Sequence, residues 1–439
     1  MNTPICDFVR HYADSNTLWL HMPGHKGVGP LGCEHLDITE IAGADSLYES
    51  EGIIAESERN ASSLFGCPTF YSTEGSSQCI RAMLSLATCG KNRKIAAARN
   101  VHKTFLSAAA LLDLDVDWLY PRDFDVYLSC NITPETLESY FTACEDLPAA
   151  VYVTSPDYLG NILSIDRLAE VCHRHGSLLL VDNAHGAYLK FLPGSRHPMD
   201  QGADLCCDSA HKTLPVLTGG AYLHIRNAEL AKHAKNALAL FGSTSPSYLI
   251  LQSLDAANRY VADGYPEKLT ACVQAMERSM IWLNTMGYTF HGNEPIKMTI
   301  DAKAYGYSGT EMAQYLRQNS MECEFSDPDF LVLMLTPAIA EEYLQHIEDV
   351  LTLLPRRNPI CTAPPRIGKP ERVLSIRQAM FSPAETIPAE ESLGRVLAAA
   401  SVGCPPAVPI VVCGERIDEN AIRCFRYYGI EQCSVVKYS

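Results

Sequence analysis

The sequence contains no run of about 18 apolar residues, so no segment reads as a membrane span. Its first residues, MNTPICDFVRHYAD, lack a basic stretch followed by an apolar one, and no secretory signal is expected there. Lys and Arg form no cluster, and the balance of 35 Lys+Arg against 51 Asp+Glu gives a formal charge of -16. Such a surface repels a phosphate backbone, which argues against nucleic-acid binding. The acidity favours cationic ligands only weakly. No two cysteines have C-x-x-C spacing, so neither a zinc knuckle nor a redox pair is expected. Internal repeats are absent as well.

What is present is ordinary globular material: 439 residues, 47% hydrophobic and 20% charged, enough for a sizeable core and about three domains. The 17 cysteines are spread from Cys6 to Cys433, and many read as small buried hydrophobes in a reducing, cytoplasmic compartment.

Residues 1–50 read as irregular and glycine-rich, an arm with an entrance loop at HMPGHKGVGP (21–30). A regular alternation follows. Helices are expected over 52–66, 75–90, 103–112, 133–144 and 164–176. Ser76 or Ser77 would start the second and Gly90 close it, and Thr133 would cap the fourth, with Pro134 at its first position. Strands are expected at 94–99, 116–120, 149–154, 177–182, 204–209 and 219–225. Short apolar strands alternating with helices of 10–15 residues imply βαβ units and a mostly parallel sheet covered on both faces. Ligands bind such sheets beyond the carboxyl ends of the strands.

Helices are expected again at 227–240, 246–262 and 266–286, the last able to bridge domains. A second region has a strand at 296–300, a helix at 308–318, a strand at 332–337 and a helix at 338–354. Proline-rich 355–371 reads as a linker. In the final stretch, 388–400 reads as a helix and 408–414 as a strand. The expected division is an arm over 1–50, a large domain over 51–265, a small α+β domain over 266–360 and a C-terminal domain over 361–439.

The strongest chemical signal is S-A-H-K at 209–212, after one strand candidate and before another. A lysine there can serve as a Schiff-base amine, although a lone lysine is more often solvated. Upstream, VDNAHG (181–186) ends the most apolar strand with Asp182, a carboxylate able to pair with a protonated ring nitrogen, or simply to cap a turn. STEGSSQC (72–79) is a glycine–hydroxyl loop opening a helix, where backbone N–H groups can face an anion. Lysine imine, ring-nitrogen partner and phosphate cradle are the three needs of pyridoxal 5'-phosphate (PLP). His21 and His25 are not surrounded by a ligand set, and no metal is expected.

Together these motifs carry a family resemblance. LHMPGHKG (20–27), EGSS (74–77), RNVHKT (99–104), VDNAHGA (181–187), SAHKTLPVLT (209–218), STSPSY (243–248), PPAVP (405–409) and GERI (414–417) resemble, in order, motifs of the Orn/Lys/Arg decarboxylases in their short bacterial form. The resemblance implies the PLP-dependent transferase fold type I, of the aspartate aminotransferase-like superfamily. Its large domain is three-layered α/β/α with a mostly parallel seven-stranded sheet, followed by a smaller α+β C-terminal region. It implies PLP held by Lys212, with Asp182 on the pyridine nitrogen, His102 over the ring face, and His185 beside the ring and substrate. It also implies a phosphate bound by Ser76, Ser77, Ser209 and His211, with Gly75 allowing close approach. Ser243, Thr244 and Ser245 would reach the phosphate of a neighbouring subunit in a homodimer with active sites at the interface. His21, His25 and Glu415 are candidates for the substrate side. The implied reaction is decarboxylation of arginine, lysine or ornithine, Lys212 or His185 returning a proton to Cα. The alternatives are a PLP-dependent aminotransferase, a lyase for another amino acid, or a non-catalytic relative. Three positions depart from the common family pattern: Asn183 in place of Glu, Gly219 in place of Gln and Cys404 in place of Tyr.

Overall fold

In the computed structural model, residues 1–90, 92–122, 126–338, 341–399 and 406–437 are described. Their strands begin with β1 (Thr69–Ser72), β2 (Lys94–Ala98), β3 (Asp115–Leu119), β4 (Ala150–Thr154), β5 (Leu178–Asp182), β6 (Leu205–Asp208) and β7 (Ala221–Ile225). The chain separates into two compact bodies, Met1–Cys89 with Leu178–Leu269, and Gly90–Ser177 with Thr270–Ser439. This division cuts inside 51–265 and keeps 270–439 together, along different lines from the sequence-based boundaries.

In the first body, strands follow the order β1-β7-β6-β5. β5 and β6 are parallel with Asp182 opposite Cys207, while β7 runs antiparallel to both β6 and β1. In the second, the order is β4-β2-β3, all parallel. β6 and β7 are buried at every residue, as expected for strands covered on both faces. The seven mostly parallel strands that the resemblance implies are therefore present; six lie where the residue pattern predicts strands, and β1 (Thr69–Ser72) lies where it predicts none.

The helices are α1 (Pro4–Ala13), α2 (Ile53–Phe65), α3 (Gly75–Ala87), α4 (Lys103–Leu112), α5 (Pro134–Ala143), α6 (Ile165–Arg174) and the short α7 (Ala210–Thr213). Gly66 ends α2 at φ 75, a left-handed value that glycine adopts without penalty. Thr133 caps α5, its side chain accepting from Thr136 N–H. α3 begins at Gly75, at the start of the expected range, but Glu74 rather than Ser76 or Ser77 is at the N-cap, there is no side-chain cap, and the helix ends at Ala87, before Gly90. Residues 227–240 form two short helices, α8 (Ala228–Ala231) and α9 (Ala234–Ala239), followed by α10 (Tyr248–Ala262) and α11 (Tyr265–Thr285). The boundary between the two bodies falls inside α11.

The second body also holds α12 (Ala302–Tyr305), α13 (Gly309–Gln318), α14 (Glu341–Leu353), α15 (Ile376–Phe381) and α16 (Glu419–Tyr427). Two smaller antiparallel sheets lie there. One orders β8 (Phe290–His291), β9 (Lys297–Asp301), β10 (Phe325–Ser326) and β11 (Phe330–Met334) as β10-β11-β9-β8. The other orders β12 (Ala384–Pro388), β13 (Leu397–Ala399) and β14 (Gln432–Val436) as β12-β14-β13.

Three expectations are corrected. Residues 388–400 are not a helix: a single 3-10 turn at Ala389–Glu391 is followed by Gly394 at φ 80 and then by β13, which pairs with β14. Residues 408–414 form no strand but a buried irregular segment. The arm is not wholly irregular, because α1 is present. Ile339, Ala340, Ala400, Cys404 and Pro405 lie outside the described residues. Every cysteine among the described residues is a free thiol.

α1 depends on a partner far along the chain. Asp255 Oδ2 accepts from the N–H groups of Ile5 and Cys6, both at 3.0 Å, satisfying first-turn donors that its own Thr3 N-cap leaves unbonded. Asp255 Oδ1 takes the Ser57 hydroxyl at 2.6 Å. We expect Asp255→Ala to leave these buried donors unmet, costing about 2–3 kcal/mol. Limited proteolysis should then cut first within residues 1–13, whereas an unchanged pattern would contradict this anchoring.

Candidate active site

Lys212 lies in α7, one turn past the carboxyl end of the fully buried β6, and is half-buried. Its Nζ is 2.8 Å from His185 Nε2. A protonated amine donates there, which makes Nε2 the acceptor and puts the imidazole proton on Nδ1. Asp182 ends β5, is 2% exposed, and accepts from Ala184 N–H at 3.2 Å. Asp182, His185, Ser209, His211 and Lys212 thus belong to the carboxyl ends of two adjacent parallel strands, the position where open α/β sheets bind ligands.

The phosphate-cradle candidates meet in the same body. Ser209 Oγ donates to Ser76 Oγ at 2.8 Å, joining the end of β6 to the first turn of α3. Gly75 has φ 70, and a Cβ there would meet nothing within 4 Å. Its N–H donates to Gly219 O at 2.7 Å. Ser77 follows on the same first turn. His211 Nδ1 donates to Gly220 O at 3.0 Å, which leaves Nε2 as the nitrogen that, when protonated, can donate to an anion. A helix start with no side-chain cap, three hydroxyls and an open glycine form a donor set that fits a phosphate.

Gly219, one of the family departures, has a structural cause. Its φ is 100 and a Cβ would lie 3.0 Å from Thr73 O, so this turn excludes a side chain. Asn183, the second departure, donates through Nδ2 to Asp208 Oδ1 at 2.6 Å. A Cβ at Gly186 would fall 1.9 Å from Asn183 Oδ1, which explains the glycine of DNAHG.

Asp208 is the centre of a network that no sequence motif marks. Its Oδ2 faces His197 Nε2 and His224 Nε2, each at 3.0 Å, and all three side chains are fully buried. These residue types also bind metals, and their ligand atoms lie within 4.8 Å of one another. The hydrogen bonds assign them differently. Met199 N–H donates to His197 Nδ1 at 3.3 Å, so the His197 proton sits on Nε2 and points at Asp208. The Thr69 hydroxyl donates to Cys67 O at 3.0 Å and therefore accepts from His224 Nδ1 at 2.9 Å. His224 is thus protonated on both nitrogens. Burial alone would raise the Asp208 pKa, yet the two imidazoles hold it well below the usual carboxylate range. Burial opposes charging His224, but Asp208 outweighs it and lifts that pKa. The cluster carries no sequence signal, because its members are 27 residues apart at the extremes and none belongs to a motif core.

The remaining candidates are placed as follows. His102 belongs to the second body, where it caps α4: Nδ1 accepts from Thr104 N–H at 3.2 Å, so the neutral ring carries its proton on Nε2. Ser243, Thr244 and Ser245 are exposed, Ser245 N–H donating to Ser243 Oγ at 3.1 Å, and Ser247 rather than Ser245 caps α10. His21 Nε2 lies 2.7 Å from the Tyr12 hydroxyl, and His25 Nε2 3.3 Å from Asp37 Oδ2. Glu415 is 2% exposed, and its Oε2 takes Arg99 Nη2 at 2.9 Å and Val412 N–H at 2.8 Å. That carboxylate neutralises a buried arginine within its own body. Cys404 lies outside the described residues.

Removing one partner of a buried charge network leaves the others uncompensated. We expect Asp208→Ala to cost about 3–5 kcal/mol in denaturant unfolding at about pH 6. The raised His224 pKa adds stability that is full below its unfolded value of about 6.5 and fades as pH rises through the folded one. The cost should therefore be smaller at about pH 9, and a cost that does not shrink would contradict a protonated His224.

The family model for "Orn/Lys/Arg decarboxylase, major domain" matches residues 3–286. An arginine decarboxylase of Halalkalibacterium halodurans is 29% identical, over 97% of this chain and 93% of its own length. An arginine decarboxylase of Bacillus subtilis is 28% identical over 96% of this chain and 92% of its own. Among solved structures, the Francisella novicida lysine decarboxylase LdcF superposes with a TM-score of 0.82 at 17% identity, covering 99% of this chain and 81% of that one. The seven mostly parallel strands, the lysine turn after β6 and a family match over well more than half of the chain agree, and the chain belongs to the Orn/Lys/Arg decarboxylase family.

Proposed function

We propose that this protein decarboxylates a basic amino acid with PLP, and that arginine is its substrate. The observation that carries the reading is Lys212 on the turn after β6, hydrogen-bonded to His185 and one strand away from buried Asp182. Arginine is favoured over lysine and ornithine because two relatives named arginine decarboxylase align over almost the entire chain. The acidic charge of -16 is a weaker support, through attraction of a cationic substrate.

Lys212 is the amine that would hold the cofactor, and Ser76, Ser77, Ser209 and His211, with the start of α3, would hold its phosphate. When bound, PLP supplies an electron sink for the pair left at Cα on loss of the carboxylate. Asp182 would keep a proton on the pyridine nitrogen, a buried charge whose partner is fixed in advance. His185 can take a proton from Lys212 Nζ and return it, and one of the two delivers the proton to Cα. Ser243, Thr244 and Ser245 are exposed at the surface, which suits contact with the phosphate of a second subunit in a homodimer.

The test is a panel of amino acids scored separately for amine, carbon dioxide and keto acid. We expect arginine to release amine and carbon dioxide in equal amounts, faster than lysine or ornithine. Keto acid without carbon dioxide would contradict decarboxylation and point to transamination. Asp182→Asn should lower turnover about a hundredfold or more while the protein stays folded, since the substitution keeps shape and removes charge. Near-normal turnover would exclude Asp182 as the partner of the ring nitrogen.

A further inference from the structure

Behind the phosphate-cradle candidates of the first body lies a single buried amide. Gln78 is the fourth residue of α3 and is fully buried, as is Ser72 at the end of β1. A buried amide carries two donors and an acceptor that must be met. Side chains in a helix lean back toward its N-terminus, which brings this one to the loop that enters α3.

The partners of Gln78 fix which way its amide faces. Nε2 donates to Leu238 O at 2.8 Å, which only the nitrogen can do, and to the Tyr48 hydroxyl at 2.7 Å. Oε1 is therefore the atom 2.6 Å from Ser72 Oγ, and the Ser72 hydroxyl donates to it. The Ser72 oxygen in turn accepts from Glu74 N–H at 3.1 Å, and it lies 3.0 Å from Gly75 O. One hydroxyl, oriented by the glutamine, thus meets both residues at the entry to α3. A leucine of similar size at position 78 would lose all three amide bonds.

The residues that follow are the cradle itself. Gly75 N–H is taken by Gly219 O at 2.7 Å, and Ser76 Oγ accepts from Ser209 Oγ at 2.8 Å. The N–H groups of Glu74 and Gly75 are committed to acceptors of the protein, and they fix the turn on which Ser76 and Ser77 stand. The same amide meets the residue before Ser243. A Cβ at Gly242 would lie 2.1 Å from Gln78 Nε2 and 1.8 Å from the Tyr48 hydroxyl, so the backbone passes there with no room for a side chain. The two hydroxyl-bearing segments of this body, 72–77 and 243–245, are joined through one glutamine. A binding loop held in its liganded shape loses less freedom when the anion arrives, and binds it more tightly.

We propose that Gln78 is a positioning residue for the cofactor phosphate. Through Ser72 and Glu74 it holds the start of α3 in the shape that receives the anion, acting by way of the loop rather than on the cofactor. This role rests on PLP being held at Lys212.

The test uses the full-length protein, freed of PLP and titrated with it again, as wild type, Gln78→Leu, Ser72→Ala and the double variant. The visible absorbance band reports the Lys212 end of the cofactor, and the phosphorus-31 resonance reports the phosphate end. A phosphate monoester takes up its second proton near pH about 6, and a complete donor set keeps it doubly charged at that pH. The wild-type resonance should therefore stay constant between about pH 8 and about pH 6. In each single variant PLP should bind about tenfold more weakly and the resonance should move with pH, while the visible band at saturating PLP keeps its position. The double variant should lose no more than the worse single one, because both changes break the same chain of bonds. Ser72→Ala decides the matter if Gln78→Leu does not fold. Wild-type affinity with a constant resonance in the variants overturns the proposal. So do additive losses, or loss of the visible band at saturating PLP, the sign of general damage. If wild type forms no visible band with PLP, the reading of Lys212 fails and takes this one with it; a wild-type band with unaltered variants removes this proposal alone.

Discussion

Asp208 accepts four hydrogen bonds in a fully buried setting: two from histidine rings at its Oδ2, and two at its Oδ1, from Asn183 and from the Cys206 thiol. Asn183 directly follows Asp182 and Asp208 directly precedes Ser209, so this carboxylate ties together the carboxyl ends of β5 and β6. Asp182, His185, Ser209, His211 and Lys212 all sit at or just beyond one or other of those ends. A buried charge is worth keeping only where its partners are complete, and here each oxygen has a donor. The network fixes the relative position of Asp182 and Ser209 without itself joining the candidate cofactor set.

The local order of the first body follows from that arrangement. β5 and β6 are parallel, buried strands, and their loops need tight turns: Gly186 avoids the Asn183 side chain, and Gly219 takes a left-handed conformation beside Thr73. The departures from the family pattern at 183 and 219 therefore have local reasons. Asn183 supplies a donor that a carboxylate could not give to Asp208, and Gly219 takes a left-handed φ at which a Cβ would press on Thr73 O.

Most strands and helices between residues 52 and 225, though not β1 or the short α7, were legible because apolar runs of about five residues alternate with glycine-stopped helices. Lys212, Asp182 and the 74–77 loop were legible because they lie in contiguous motifs. The C-terminal elements were not. Residues 388–400 have a helical composition, yet Gly394 and pairing with β14 make them a turn and a strand, a tertiary preference that overrides propensity. α1 was hidden for a similar reason, since its first turn is satisfied by Asp255 rather than by a local cap. The His197–Asp208–His224 network was invisible because its members come together only when β6 and β7 pair and the segment before β6 folds back onto them. Glu415, which sequence placed toward the substrate, instead neutralises Arg99.

The central claim is that Lys212 carries PLP. Its most direct measurement is reduction of the purified protein with borohydride, followed by mass mapping of the modified peptide. The account predicts a single pyridoxyl-bearing peptide containing Lys212, together with loss of the visible absorbance band, and neither signal in Lys212→Ala. A modified peptide at another lysine, or equal trapping in Lys212→Ala, would contradict it.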